Sequence, residues 1–181
     1  QRYQLDPLAF AAEQAWHKGF KNLEPANLYN VDYSLLGTAR VEPLMRRIRN
    51  EMAAAEMYVE TSKGECNFGQ HEINFRYGEA LRTADEHVIY KNGAKEIAAQ
   101  EGMALTFMAK FDAREGNSCH IHCSVRGTDG ELVMADGSGL SALGRSFVAG
   151  QLAHMRELTL LLAPNINSYK RFVEGSFAPT A

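Results

Sequence analysis

The stretch Gly69-Gln70-His71-Glu72-Ile73-Asn74-Phe75-Arg76-Tyr77 sets the fold class. From His71 onward it alternates, with Glu72, Asn74 and Arg76 on one side and Ile73, Phe75 and Tyr77 on the other. A strict period of two predicts a strand with one buried face. Upstream, Tyr58-Val59-Glu60-Thr61 predicts a neighbouring strand that Gly64 breaks. Further back, Pro43 opens a helix whose apolar positions, Leu44, Ile48, Met52 and Ala55, recur every three or four residues. The first 40 residues are mixed: positions 4–16 predict a helix, and 23–36 a loop with short extended pieces.

Downstream, Thr83-Ala84-Asp85-Glu86 reads as a capping box opening a helix to about Gln100, which Gly102 ends. Leu105 to Lys110 predicts a strand, and so does Cys119 to Val125. In the latter, His120, His122 and Ser124 share one face, and Cys119, Ile121, Cys123 and Val125 the other. Gly127-Thr128-Asp129-Gly130 turns the chain back. Ser141 caps a last helix that directs Phe147, Leu152, Met155 and Leu162 at a core, and Pro164 stops it. Strands and helices interleave, but the turns are of the hairpin type. The expected class is α+β, an antiparallel or mixed sheet with flanking helices.

The composition is that of a globular protein, with 45% apolar and 23% charged residues in 181. A net charge of −3 and the absence of a basic stripe argue against a nucleic-acid partner. No apolar run is long enough to span a membrane. Cys66, Cys119 and Cys123 form no C-x-x-C pair, which reads as a reducing, cytoplasmic compartment. The first residues, Gln1-Arg2-Tyr3-Gln4, are neither a signal peptide nor a methionine start, so both ends are expected to continue in a longer chain.

Two features carry candidate chemistry. Glu65 and Glu72 flank a glycine turn, which suits a hard cation such as Mg2+ or Mn2+. Spacing alone leaves open that they are solvated loop glutamates. His120-Ile121-His122 presents two imidazoles to one side, for a metal or a phosphate, or simply as the polar face of a strand. The glycine-rich run from Gly137 to Gly144 matches neither nucleotide-binding pattern and reads as turns before a helix cap. Arg171, beside Lys170, is a loop arginine able to clamp an anion.

Together these segments resemble the glutamine synthetase family. Residues 69–77 look like its G-Q-x-E-I-[ND]-x-[RK]-[FY] strand. His120-Ile121-His122-Cys123-Ser124 looks like its H-x-H-x-S strand, and Asn167-Ser168-Tyr169-Lys170-Arg171 like its N-S-[YF]-K-R loop. The order and spacing agree from about residue 40 to the end. The resemblance implies that residues 1–181 are part of a catalytic domain, with the N-terminal domain, the E-x-E strand and the C-terminal part lying elsewhere. It implies Glu65 and Glu72 as ligands of one metal and His120 of a second at the ATP phosphates. His122, Ser124 and Tyr77 fall on the nucleotide side, and Gly116 contacts glutamate through its backbone. Arg171 grips the glutamate carboxylate or the transferred phosphoryl group. The implied partners are ATP, glutamate and an amine, in a double-ring dodecamer.

Three departures from the family pattern stand beside the resemblance. Lys63-Gly64-Glu65 replaces His-His-Glu, Glu115 replaces an asparagine, and Phe177 replaces the flap glutamate that handles ammonium, with Glu174 in place of the flap proline. Lys63, Glu174 and Phe177 are therefore the amine-side candidates. The expected activity is ATP-dependent γ-glutamylation of an amine larger than ammonia, of the polyamine or ethanolamine type. Glutamate–ammonia ligation and a non-catalytic structural relative are the alternatives.

Overall fold

In a computed structural model, residues 2–4 and 24–178 are described. The chain divides into two compact units, residues 1–117 and 118–181. In the first, strand β1 (Arg2–Gln4) lies between β2 (Glu24–Pro25) and β5 (Met103–Leu105). Strand β3 (Val59–Gly64) pairs with β4 (His71–Phe75) in a separate hairpin. Helices α1 (Leu35–Ala39), α2 (Glu42–Ala54) and α3 (Ala80–Gln100) complete the unit. The second unit holds the small hairpin β6 (Ala135–Asp136) and β7 (Gly139–Leu140), then helices α4 (Ala142–Ala153), α5 (Met155–Leu162) and α6 (Ile166–Tyr169). Every strand pairing among the described residues is antiparallel, as the turn chemistry predicts for an α+β protein.

The core of the first unit forms where the apolar stripe of α2 meets α3. Leu44, Ile48 and Met52 pack with Met57, Ala94, Ile97 and Ala98, and Val59, Ile73 and Phe75 of the hairpin lie against them. Tyr90 holds the seam, edge-on to Phe75 at 4.9 Å and to Phe107 at 5.6 Å between ring centroids. Arg47 ties the two helices together through a 2.8 Å ion pair with Glu101. Ile48 is only 1% exposed. Ile48→Ala is expected to lower unfolding free energy by about 2–5 kcal/mol, since the close-packed site cannot collapse around the lost methyls. A lower denaturant midpoint at unchanged slope is the readout.

A register shift in β3 decides what the hairpin presents. Val59 pairs with Phe75 on the core side, but the ladder slips before Thr61, which pairs with Asn74, and Lys63 then pairs with Glu72. Without the bulge, Thr61 and Lys63 would share the face of Val59 and point into the core. With it, they join Asn74 and Glu72 on the opposite face. Asn74 Nδ2 donates to Thr61 Oγ1 at 2.8 Å and to Glu72 Oε1 at 2.8 Å, fixing that row.

Several expectations change. Strand β3 runs through Gly64 rather than breaking before it. Ala55 is the exposed cap of α2, and Met57 fills the core instead. Helix α3 starts before the expected capping box: the Glu79 side chain accepts from the Arg82 amide at 3.0 Å, leaving Thr83 inside the first turn. The strand expected over 105–110 is confined to Met103–Leu105, the residues opposite β1. The strand expected over 119–125 has no ladder partner among the described residues, and its residues are exposed on both sides, Ile121 and Cys123 included. Alternation alone makes no strand without a neighbour to pair with. The turn that follows forms as expected, with Gly130 N bonded to Gly127 O at 2.9 Å and Arg126 bridging Leu132. The last predicted helix is broken at His154 into α4 and α5, and of its expected core residues only Phe147 is partly buried, Leu152, Met155 and Leu162 being exposed. The helix expected over 4–16 lies outside the described residues, apart from Gln4, which ends β1.

Candidate active site

In the first unit, Glu65 and Glu72 meet around a cation supplied by the chain itself. The Lys63 ammonium pairs with Glu65, donates to Asp32 Oδ1 at 3.1 Å and lies 3.6 Å from Glu72 Oε2. It also stands 4.6 Å from the centre of the Tyr33 ring. Burial alone would lower the Lys63 pKa, but the hydrogen bonds to Glu65 and Asp32 and the charges of Glu65 and Glu72 hold it above its ordinary value. Burial and its hydrogen bond to Glu72 push the Glu65 pKa up, while the same bond and the Asn74 amide pull Glu72 down.

Asp32 reaches this cluster through local turn chemistry. Asn30 Oδ1 accepts from the Asp32 amide at 2.8 Å, Val31 O accepts from the Ser34 amide at 2.9 Å, and Ser34 caps α1. Between them Tyr33 sits at φ 55°, a left-handed conformation that a tyrosine adopts at a cost. Gly64 explains itself by space: a Cβ there would lie 2.3 Å from the Val31 carbonyl oxygen. Asp32, Glu65 and Cys66 bring their ligand atoms within 4.8 Å of one another. Burial and the neighbouring Asp32 push the Cys66 thiol up, so it stays protonated and leaves the carboxylates as the effective donors. Hard oxygen donors converging on one positive centre suit a divalent cation of the Mg2+ or Mn2+ kind.

Two buried amides lock the loop between β3 and β4 to the segment carrying Gly116. Asn67 Nδ2 donates to Asp112 at 3.1 Å and to the Glu115 carbonyl. Gln70 Nε2 donates to the Gly116 carbonyl at 2.9 Å and to Asn117 Oδ1 at 2.8 Å. Both side chains are buried. The Glu115 carboxylate takes no part in these bonds; its backbone carbonyl does. Tyr77, beyond the end of β4, is exposed, with the Arg76 guanidinium 6.0 Å from its ring.

The second unit holds the remaining candidates. His120, His122 and Ser124 are exposed and make no hydrogen bond or ion pair among the described residues. Arg171 follows α6 and is 8% exposed. Burial lowers its pKa, and no carboxylate pairs with it among the described residues. Its carbonyl accepts from Ser176 Oγ at 2.9 Å, which closes the turn leading to Phe177. Phe177 is 78% exposed at φ 58°, and Glu174 is exposed beside it.

A family model described as the glutamine synthetase catalytic domain matches residues 9–181. The chain belongs to the glutamine synthetase catalytic-domain family. Among its relatives, the gamma-glutamylethanolamide synthetase GlnA4 of Streptomyces coelicolor is 66% identical over 169 residues, which cover 93% of this chain and 37% of that protein. The glutamate–isopropylamine ligase of a Pseudomonas species is 37% identical over 177 residues, 96% of this chain and 38% of that protein. Solved structures of GmaS also match: the apo form with a TM-score of 0.76 at 33% identity, over 82% of this chain and 36% of that one. Its ADP complex matches with a TM-score of 0.77 at 31% identity, over 87% of this chain and 37% of that one. The chain thus spans little more than a third of the length of the glutamine synthetase relatives it matches.

Within this glutamine synthetase segment, Glu65 and Glu72 come together across the glycine turn as their spacing suggests, Lys63 stands between them, and Gly116 is tied to the same loop. Sequence reasoning missed Asp32, Tyr33, Asn67 and Gln70. Gln70 had a signal, since it stands inside the quoted motif; Asp32 and Tyr33 arrive from a loop some thirty residues away and had none. No helix among the described residues is long and apolar enough to cross a membrane. Cys66, Cys119 and Cys123 are free thiols.

Proposed function

We propose that the protein containing this chain is an ATP-dependent γ-glutamyl ligase joining glutamate to a primary amine larger than ammonia. The observation that carries the reading is the convergence of the Glu65 and Glu72 carboxylates on one cationic centre, on a hairpin face that carries the family motif. In this reading the γ-carboxylate of glutamate attacks the terminal phosphorus of ATP. The products of that step are γ-glutamyl phosphate and ADP. The amine then attacks the acyl carbon, loses a proton, and phosphate leaves. A Mg2+ or Mn2+ ion held by Glu65 and Glu72, and a second held by His120, would neutralise phosphoryl charge. His122, Ser124 and Tyr77 flank the nucleotide, and the Gly116 backbone orients glutamate. Arg171 is suited to the phosphoryl group or the substrate carboxylate, because a buried arginine without a carboxylate partner gains most from an incoming anion.

Phe177 supports the larger amine. A phenylalanine anchoring its own loop would be buried, yet this one is exposed and so open to an alkyl group. The names of the relatives, an ethanolamide synthetase and an isopropylamine ligase, favour small alkylamines over polyamines. Assembly as a double-ring homo-oligomer in the cytoplasm goes with the same reading. The test is product formation. The full-length protein with ATP, Mg2+, glutamate and ethanolamine should release phosphate and yield the γ-glutamyl amide in equal amounts, by colorimetry and mass spectrometry. Absence of both products, in a protein that stays folded, would favour the structural relative.

A further inference from the structure

We infer that Lys63 is a built-in cation that holds the acidic cluster together without metal and must be displaced for a divalent ion to enter. The inference rests on the proposed metal role of Glu65 and Glu72. Its basis is position. Lys63 stands directly across the ladder from Glu72, and its ammonium already contacts Glu65, Asp32 and Glu72. A divalent ion would take carboxylate oxygens at about 2.1 Å. A second positive charge cannot remain within hydrogen-bonding distance of those oxygens without strong repulsion, because the cluster is only partly open to water. Lys63 has somewhere to go. The Tyr33 ring, 79% exposed, already lies 4.6 Å from the ammonium, so it keeps a face for the cation as the ammonium swings outward from Glu65 and Glu72. The four-carbon stem permits this swing without moving β3, whereas a shorter imidazole at this position carries no such tether. The consequence is a metal affinity set by competition: the ion is bound as tightly as the acids allow, less the contribution of the displaced lysine.

The test uses the metal-free full-length protein, titrated with Mn2+ alone and read by calorimetry and by the paramagnetic signal of free Mn2+. Glu72→Ala identifies the class of bound Mn2+ that belongs to this cluster. For that class, Lys63→Gln should bind at least about tenfold more tightly than the natural protein, since a partly buried competing charge is gone. Lys63→Arg, which keeps the charge, should stay near the natural value. Without metal, Lys63→Gln should melt lower and regain more on adding Mn2+. A second measurement needs no variant. In the natural protein, Mn2+ should speed modification of Lys63 by an amine-reactive ester, read by peptide mass spectrometry. Unchanged or weaker binding in Lys63→Gln, or protection of Lys63 by Mn2+, would overturn the inference while leaving the metal site standing. Mn2+ binding indifferent to Glu72→Ala would overturn the metal site and the inference together.

Discussion

Glu72→Ala is expected to lower turnover of the full-length enzyme about a thousandfold or more while leaving the fold intact. The side chain lies on the outer face of β4, away from Ile73 and Phe75, so removing it opens no cavity in the core. It takes away one of the carboxylates converging on the cationic centre beside Glu65. Stabilisation of phosphoryl charge by a bound metal is worth several kcal/mol, and each tenfold in rate is about 1.4 kcal/mol. Losing about 4 kcal/mol gives the thousandfold figure. Glu72→Gln separates charge from size: the amide keeps the shape but not the negative charge, and should fall nearly as far. Thermal melting of both variants within a few degrees of the natural protein would establish that the loss is chemical. Activity within a factor of about three would remove Glu72 from the machinery, since a metal ligand cannot be that dispensable.

Phe177→Glu is expected to shift the amine preference toward ammonia by about tenfold or more. The two methylenes of ethanolamine gain about 0.8 kcal/mol each when buried against an apolar surface, which together is roughly one decade in kcat/KM. Exchanging the ring for a carboxylate withdraws that surface and adds an acceptor for a proton and a positive charge, which serve ammonium better than an alkylamine. The backbone favours a clean comparison. Phe177 stands at φ 58°, a left-handed conformation that costs a phenylalanine and a glutamate alike, and its ring is exposed, so the substitution removes little packing. A ratio that does not move would transfer the preference to Lys63 and the Tyr33 turn, where another departure from the family pattern lies.

How much of this was legible in the sequence depends on how local each feature is. Helix α2 and the hairpin β3–β4 were readable, because Leu44, Ile48 and Met52, and Ile73 and Phe75, repeat with the period of their own element. The bulge before Thr61 was not, although it decides which face Lys63 joins, since it depends on the register with Asn74. The start of α3 was misplaced because Glu79, four residues before Thr83, caps the helix by accepting the Arg82 amide and leaves Thr83 inside the first turn. Alternation over 119–125 looked like a strand, but a ladder needs a partner that no alternating sequence can supply by itself. Leu152, Met155 and Leu162 were assigned to a core for the same kind of reason: periodicity marks an apolar face without saying what covers it. In the site, Glu65 and Glu72 were found through a motif, whereas Asp32 and Tyr33 were found only once the chain had folded. That Arg171 is buried could not be read in advance, because burial is not written in a loop sequence.

The most direct test of the proposed activity is the ratio of kcat/KM for ethanolamine to that for ammonia. It is measured by phosphate release from the full-length protein with saturating ATP, Mg2+ and glutamate. A ratio above about ten is expected, from the apolar surface that Phe177 offers and the proton acceptor that it lacks. A ratio below one would contradict the account, and would return the protein to glutamate–ammonia ligation.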